Sequence, residues 1–230
     1  MTSINPRVSI VTAAYNAEST IADAIDSVEA QTTDPHDLEH IVVDDGSTDT
    51  TVEVVNRNAR QHTRVLRTPH TGASESMNTG LRAARGEFVV LLDADDKLRP
   101  NITAEMLEAF DEHPDAGYVT CDYVEYGTDG SESVVKVSPD EVTRLLTNGV
   151  MHRRSLMRAF GFFDVSMYFS EYTLYLQYQR HGIKRVHINE PLFEYHRREG
   201  SQTTNREWVD QGIVQLRERF GDDVQIRKYS

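Results

Sequence analysis

A chain of 230 residues with 38% hydrophobic and 27% charged residues, 13 Gly and 7 Pro has the make-up of a globular protein able to bury a core, which excludes wholesale disorder and collagen-like repeats. Lys and Arg number 24 against 37 Asp and Glu, and the formal charge of −13 repels phosphate backbones and argues against nucleic acid as a partner. The longest aliphatic or aromatic run, Phe88 to Leu92, falls far short of the roughly 20 residues that cross a bilayer.

The first hundred residues alternate short β-branched runs with helical spacing, which predicts a parallel sheet flanked by helices. The first strand is Val8 to Thr12. Ser19 is placed to cap a helix whose Ile21, Ile25 and Val28 share one face, ending near Gln31. A second strand, His40 to Val43, leads through the turn Asp44-Asp45-Gly46-Ser47 to a helix with Val52, Val55 and Ala59 on one side. Next come Arg64 to Arg67, a loop containing Gly72, a helix carrying Met77, Leu81 and Ala84, and Gly86 closing the turn before the fourth strand, Phe88 to Leu92. Beyond Asp96 the spacing predicts a helix over 103–113, a β-rich stretch over 118–137 turning at Gly127 to Gly130, and a capping-box helix over 138–148. Residues 150–200 read as short mixed elements. Trp208, Val209, Ile213, Leu216 and Phe220 form the apolar stripe of a closing helix. The chain reads as one continuous α/β domain, with residues 97–204 completing its sheet and roofing its cleft.

Ligands of an open parallel sheet bind outside the carboxyl ends of its strands. Three polar clusters fall there: Thr12 to Asn16, Asp44 to Ser47, and Asp93-Ala94-Asp95-Asp96. Carboxylates gathered at one sheet edge repel each other unless a divalent cation or ligand donors neutralise them, so a metal-dependent site is expected. Asp93 and Asp95 offer hard oxygens at alternate positions, suited to Mg²⁺ or Mn²⁺ bound together with phosphate. An isolated Asp-x-Asp is ordinarily a solvated turn or helix cap; its place after a buried strand makes the ligand reading the stronger one. Tyr15 fits either a core aromatic or a ring that stacks on a nucleobase.

These motifs, in order and across residues 8–100, resemble family 2 glycosyltransferases of the GT-A fold: Val8 to Asn16, Val42 to Asp49, Asn78-Thr79-Gly80 with Gly86, and Leu91 to Asp96. Weaker resemblance runs from Gly161-Phe162-Phe163-Asp164 to Gly200-Ser201-Gln202-Thr203. The resemblance implies a Rossmann-like, mostly parallel sheet flanked by helices, with a nucleotide-sugar half over 1–100, a mixed acceptor half over 101–204 and a C-terminal helix and tail over 205–230. It implies a nucleotide-sugar donor, UDP-linked in most relatives, a bound Mn²⁺ or Mg²⁺, and transfer with inversion to a saccharide or lipid-linked acceptor. Carried over by position, Thr12, Tyr15, Asn16, Asn78 and either Asp44 or Asp45 belong to the donor site, Asp93 to the ribose and the metal, and Asp95 to the metal. His196 would complete the metal shell, Arg197 or Arg198 would meet the diphosphate, and Glu171 would be the base that inversion requires opposite the leaving group. The competing reading of Glu171 is a helix-start glutamate that favours the helix dipole.

Two departures from the family pattern stand out. Ser76-Met77-Asn78 lacks the arginine that often precedes that asparagine, leaving Arg82 or Arg85 to compensate, and the usual acidic pair is reduced to Ser170-Glu171. They motivate the alternative of a catalytically silent donor- or glycan-binding subunit. A nicotinamide enzyme is disfavoured because no G-x-G-x-x-G follows the first strand. A phosphatase is disfavoured because its acidic pair would follow the first strand, not the fourth. The pair His152 and Arg153 reads as ordinary polar residues before a helix. Cys121 alone excludes an intrachain disulfide, and the first residues lack the pattern of a secretory signal, so a cytoplasmic protein is expected. Only four basic residues are Lys, a bias that fits either a halophilic source or an ordinary acidic protein. The default reading of the closing helix is packing against the core; the alternatives are a contact of Trp208 and Phe220 with a second subunit, as in a homo-oligomer, or with the inner face of a membrane.

Overall fold

The computed structural model describes residues 5–137, 148–198, 200, 205–222 and 224. Strand β1 (Val8–Ala14) lies between β2 (Leu38–Asp44) and β4 (Phe88–Leu91), and β3 (Thr63–Arg67) pairs outside β2, all in parallel. Every residue of β2 and of β4 is buried, as expected of central strands whose two faces are both covered by helices; β4 is a continuous apolar run, while β2 also buries Glu39, His40 and Asp44. The connecting helices are α1 (Ile21–Glu29), α2 (Thr51–Asn58) and α3 (Ala73–Ala83). Right-handed crossovers put α1 and α2, which pack on each other, on one face and α3 on the other. Gly80 lets α3 approach closely, since a Cβ there would lie 2.3 Å from Val11 Cγ1.

The chain continues through β5 (Lys97–Leu98), α4 (Ile102–Glu112), β6 (Tyr118–Tyr126), β7 (Glu132–Val135), β8 (Met151–Arg153), α5 (Arg154–Ala159), α6 (Ser170–Arg180), β9 (Arg185–His196) and α7 (Arg206–Phe220). The strand order is β3-β2-β1-β4-β8-β6-β9-β5, with β7 paired on β6. Antiparallel β8 joins the parallel half to β6, and β6 runs parallel to β9. A mostly parallel unit is thus extended by a mixed one in a single sheet, and the β1, β2 and β4 carboxyl ends open onto one edge.

Several sequence expectations are corrected. Ser19 does not cap α1: the turn starts earlier, with Thr20 and Ile21 both donating to the Ala17 carbonyl, and no side chain caps the helix. Gln31 lies beyond that helix and its buried amide ties Ser27, Arg99 and Thr103 together. Gly86 is required by close approach, because a Cβ would sit 2.6 Å from the Ser9 nitrogen. Residues 150–200 hold an 11-residue helix and a 12-residue strand where short pieces were expected. Of the predicted capping-box helix over 138–148, residues 138–147 lie outside the described residues. On α7, Trp208 packs edge-on against Phe169 at 4.8 Å, and Phe220 is buried beneath the Arg180 guanidinium. Phe220 thus belongs to the core, and the half-buried Trp208 packs against it.

Candidate active site

Three loops meet at the sheet edge and are laced by polar contacts. Asn16, in the left-handed region at φ 48°, donates its backbone N–H to Ser47 Oγ at 3.0 Å and accepts from Thr48 N at 2.9 Å. Its amide therefore joins the β1 and β2 loops. Thr12 lies beneath them, fully buried and 3.0 Å from the Nε2 of His40, whose burial pushes its pKa down to about 3 and keeps it neutral. Neither its hydroxyl nor the Asn78 amide faces the cleft. Asn78 donates to the Phe163 carbonyl at 2.9 Å and accepts from Phe163 N at 3.0 Å, pinning the loop in which Phe162 takes φ 65°.

Asp44 and Asp45 have different roles. Asp45 Oδ1 accepts from Thr68 Oγ1, Thr71 N and Thr71 Oγ1, and Oδ2 accepts from Gly72 N at 2.8 Å. Burial works against the charge, yet these donors win and hold the carboxyl at about 2. Asp45 is thus the anchor of the β3–α3 loop and the start of α3. Asp44, also buried, accepts from Ser47 N at 3.2 Å and from Arg67 Nε at 3.1 Å, one donor per oxygen. Tyr15 stands exposed at the same edge, its ring stacked on His70 at 4.1 Å.

After β4, one oxygen from each of Asp93, Asp95 and Asp96 lies within 4.8 Å of the other two. Burial, reinforced by the charge of Asp95, pushes Asp93 up to about 6, and burial with both neighbouring charges raises Asp96 well above the usual carboxylate range. Asn148 donates to Asp93 at 2.6 Å, while the His196 backbone N–H donates to Asp96 at 2.8 Å. Arg198 reaches Asp95 at 2.9 Å and Thr20 Oγ1 at 2.8 Å. Hard oxygens crowded together at one edge, with a guanidinium already drawn to one of them, fit a divalent cation. His196 is not brought among them by its ring, which stacks on Tyr126 at 4.8 Å and whose pKa burial lowers. Arg197 is turned away, paired with Glu125 at 3.1 Å.

Glu171 lies in the first turn of α6, where the helix dipole favours a carboxylate. Burial overrides that preference and, with the Asp93 charge added, pushes Glu171 up to about 7. A merely dipole-favouring surface glutamate would move the other way. Ser170 bonds Ser74 at 2.9 Å, tying the start of α6 to α3. Arg82 pairs with Glu75, and Arg85 with Glu39. His152 is fully buried among Tyr118, Tyr175 and Tyr178, and Arg153 lies over Phe88 and Phe110; both sit on or beside β8 inside the fold. Asp96, Asn148, Arg67 and His70 are the site residues that sequence reasoning left without a role. Adjacency to Asp93 and Asp95 was the only signal, and it reached Asp96 alone.

The family model for glycosyl transferase family 2 matches residues 9–176. The chain is 34% identical over 120 residues to EpsH of Bacillus subtilis, covering 51% of this chain and 34% of that one, so it spans about a third of that relative's length. Among solved structures, TarS of S. aureus in complex with UDP-GlcNAc superposes with a TM-score of 0.73 at 18% identity, over 96% of this chain and 68% of that one. The mannosyltransferase PcManGT of Pyrobaculum calidifontis, in complex with GDP-Man and Mn²⁺, gives 0.73 at 21% identity over 98% and 67%. These likenesses show the GT-A fold, and no helix among the described residues is long and apolar enough to cross a membrane. With the family model covering more than half its length, the chain belongs to glycosyl transferase family 2.

Proposed function

We propose that this protein is a metal-dependent, inverting glycosyltransferase that moves a sugar from a nucleoside diphosphate, UDP in the first instance, to a hydroxyl of a saccharide or lipid-linked glycan. The observation that carries the reading is the pairing of a clustered carboxylate triad with a half-buried glutamate at the start of α6, held at about 7, whose ionisation Asp93 opposes. Complexes of fold relatives with UDP-GlcNAc and with GDP-Man and Mn²⁺ supply the class of donor.

In this reading the nucleobase stacks on the exposed Tyr15. Asp44 takes its N–H, since each Asp44 oxygen has one donor while Asp45 is committed to the β3–α3 loop. Asp93, Asp95 and Asp96 would hold Mn²⁺ or Mg²⁺, which when bound supplies positive charge to the diphosphate leaving group. Arg198, held at the same edge, adds a guanidinium within the donor's reach. Glu171 accepts the proton of the acceptor hydroxyl as its oxygen bonds the anomeric carbon and the bond to the diphosphate oxygen breaks. A base near 7 is half-ionised at neutral pH, which matches that task.

Calorimetric titration of UDP into the full chain tests the reading. Binding in Mn²⁺ or Mg²⁺ that is lost in EDTA is expected, and equal affinity in both overturns metal dependence. Donor turnover by the wild type that collapses in Glu171→Gln removes the silent-subunit alternative.

A further inference from the structure

We infer that His70 is a positioning residue for the donor, bracing Tyr15 from behind so that the exposed ring is a preformed nucleobase platform; this rests on the donor reading above. The two rings stack at 4.1 Å with an interplanar angle of 28°, yet Tyr15 remains 45% exposed, so the brace leaves ring surface open for a ligand. An aromatic side chain at an exposed loop has two freely turning torsions, and ordering it on ligand binding subtracts from affinity. His70 removes that freedom beforehand.

The brace is itself fixed. His70 Nδ1 lies 3.1 Å from the Asp45 carbonyl and 3.3 Å from its Oδ2, both acceptors, so that nitrogen carries the proton and the ring orientation is set. Its backbone is in the left-handed region at φ 39°, a conformation that is uncommon for a non-glycine residue and persists when the surroundings over-determine it. Those surroundings are Gly46 and Asp45. A Cβ on Gly46 would lie 2.9 Å from the His70 nitrogen and 3.4 Å from its Cβ, and Asp45 gathers Thr68, Thr71 and Gly72 around the same loop. The carboxylate that holds the loop thus also aims the imidazole at Tyr15.

The test compares binding of Mn²⁺-UDP and of Mn²⁺-pyrophosphate, which lacks the base, to wild type, His70→Asn, His70→Phe and Tyr15→Ala. Asn tolerates the left-handed backbone but cannot stack, and Phe restores a ring without the hydrogen bond. Expected is a loss of about three- to tenfold in UDP affinity for His70→Asn, partial recovery in His70→Phe, and unchanged pyrophosphate affinity in both. Thermal unfolding of each variant identifies any that fails to fold. Unchanged or tighter UDP binding in His70→Asn overturns the brace, the latter marking His70 as a plug in the nucleobase slot. An equal loss for UDP and pyrophosphate also overturns it, because the effect would then lie in the general loop structure. If wild type binds no nucleotide and Tyr15→Ala changes nothing, the donor reading itself falls; if Tyr15→Ala weakens UDP and His70→Asn does not, only the brace falls.

Discussion

Replacing Glu171 with Gln separates catalysis from stability. The substitution keeps shape and retains an oxygen that can accept the 3.3 Å bond from Ser170 Oγ, but it removes the proposed proton acceptor. Loss of a general base lowers turnover by about 10²–10⁴. Stability should move the other way. A carboxyl raised from an ordinary 4.5 to about 7 binds its proton more tightly folded than unfolded, so its contribution is full below about 4.5 and declines as pH rises through about 7. The shift corresponds to about 3 kcal/mol against the ionised form. In the metal-free protein, Glu171→Gln should therefore match wild type near pH 4.5 and exceed it by about 1–3 kcal/mol at pH 8. Urea unfolding in EDTA at both pH values, alongside nucleotide release from a donor–acceptor pair with Mn²⁺, reads both effects. Activity within tenfold of wild type, or a variant no more stable at pH 8 than at pH 4.5 relative to wild type, would refute the assignment.

Two further outcomes follow from the packing. Asp45, held at about 2 against an ordinary 3.8, contributes about 2 kcal/mol that is present above pH 3.8 and lost as pH falls through about 2. Asp45→Asn should accordingly lower unfolding free energy by about 2 kcal/mol at pH 7, with the gap to wild type closing near pH 2; a gap independent of pH would contradict the role of charge. Gly80→Ala gains about 1 kcal/mol of helix propensity but puts a Cβ 2.3 Å from Val11 Cγ1 and 3.1 Å from Val43 Cγ2, and overpacking of that kind costs about 1–3 kcal/mol. A net fall in melting temperature, partly restored by adding Val11→Ala, is expected, and a rise would show that α3 can lift from the sheet at little cost.

The parallel half was legible because its central strands carry buried β-branched or aliphatic segments that end in polar loops, most clearly Phe88 to Leu92 before Asp93. β9 was not legible for an equally physical reason. Pro191 argues against a long strand, and the structure admits it through register shifts in which Cys121 pairs with Ile188 but Asp122 with Pro191. Among site residues, a motif gives the position of a polar group but not where its hydrogen bonds go. Thr12 and Asn78 carry family positions, yet their bonds are internal, to His40 and Phe163, and their contribution is to shape loops. Asn148 was out of reach because its bond to Asp93 spans 55 positions and no local pattern marks it.

The same distinction recasts both departures from the family pattern. At the first, Met77 is buried against the core, so an arginine there would need a different rotamer or a different helix seat; a guanidinium stands beside Asp44 regardless, delivered by Arg67 from the end of β3. At the second, Ser170 is 2% exposed and bonded to Ser74. A second carboxylate in that place would add charge beside Glu171, whose ionisation burial and Asp93 already oppose, and would drive the base further above neutrality. The serine instead joins α6 to α3 with a neutral bond and leaves Glu171 near neutrality, as the proposed role of base requires. With Glu171 as the proposed base, what reads as an eroded acidic pair in the sequence is, in three dimensions, a way of keeping one half-buried carboxyl ionisable near Asp93.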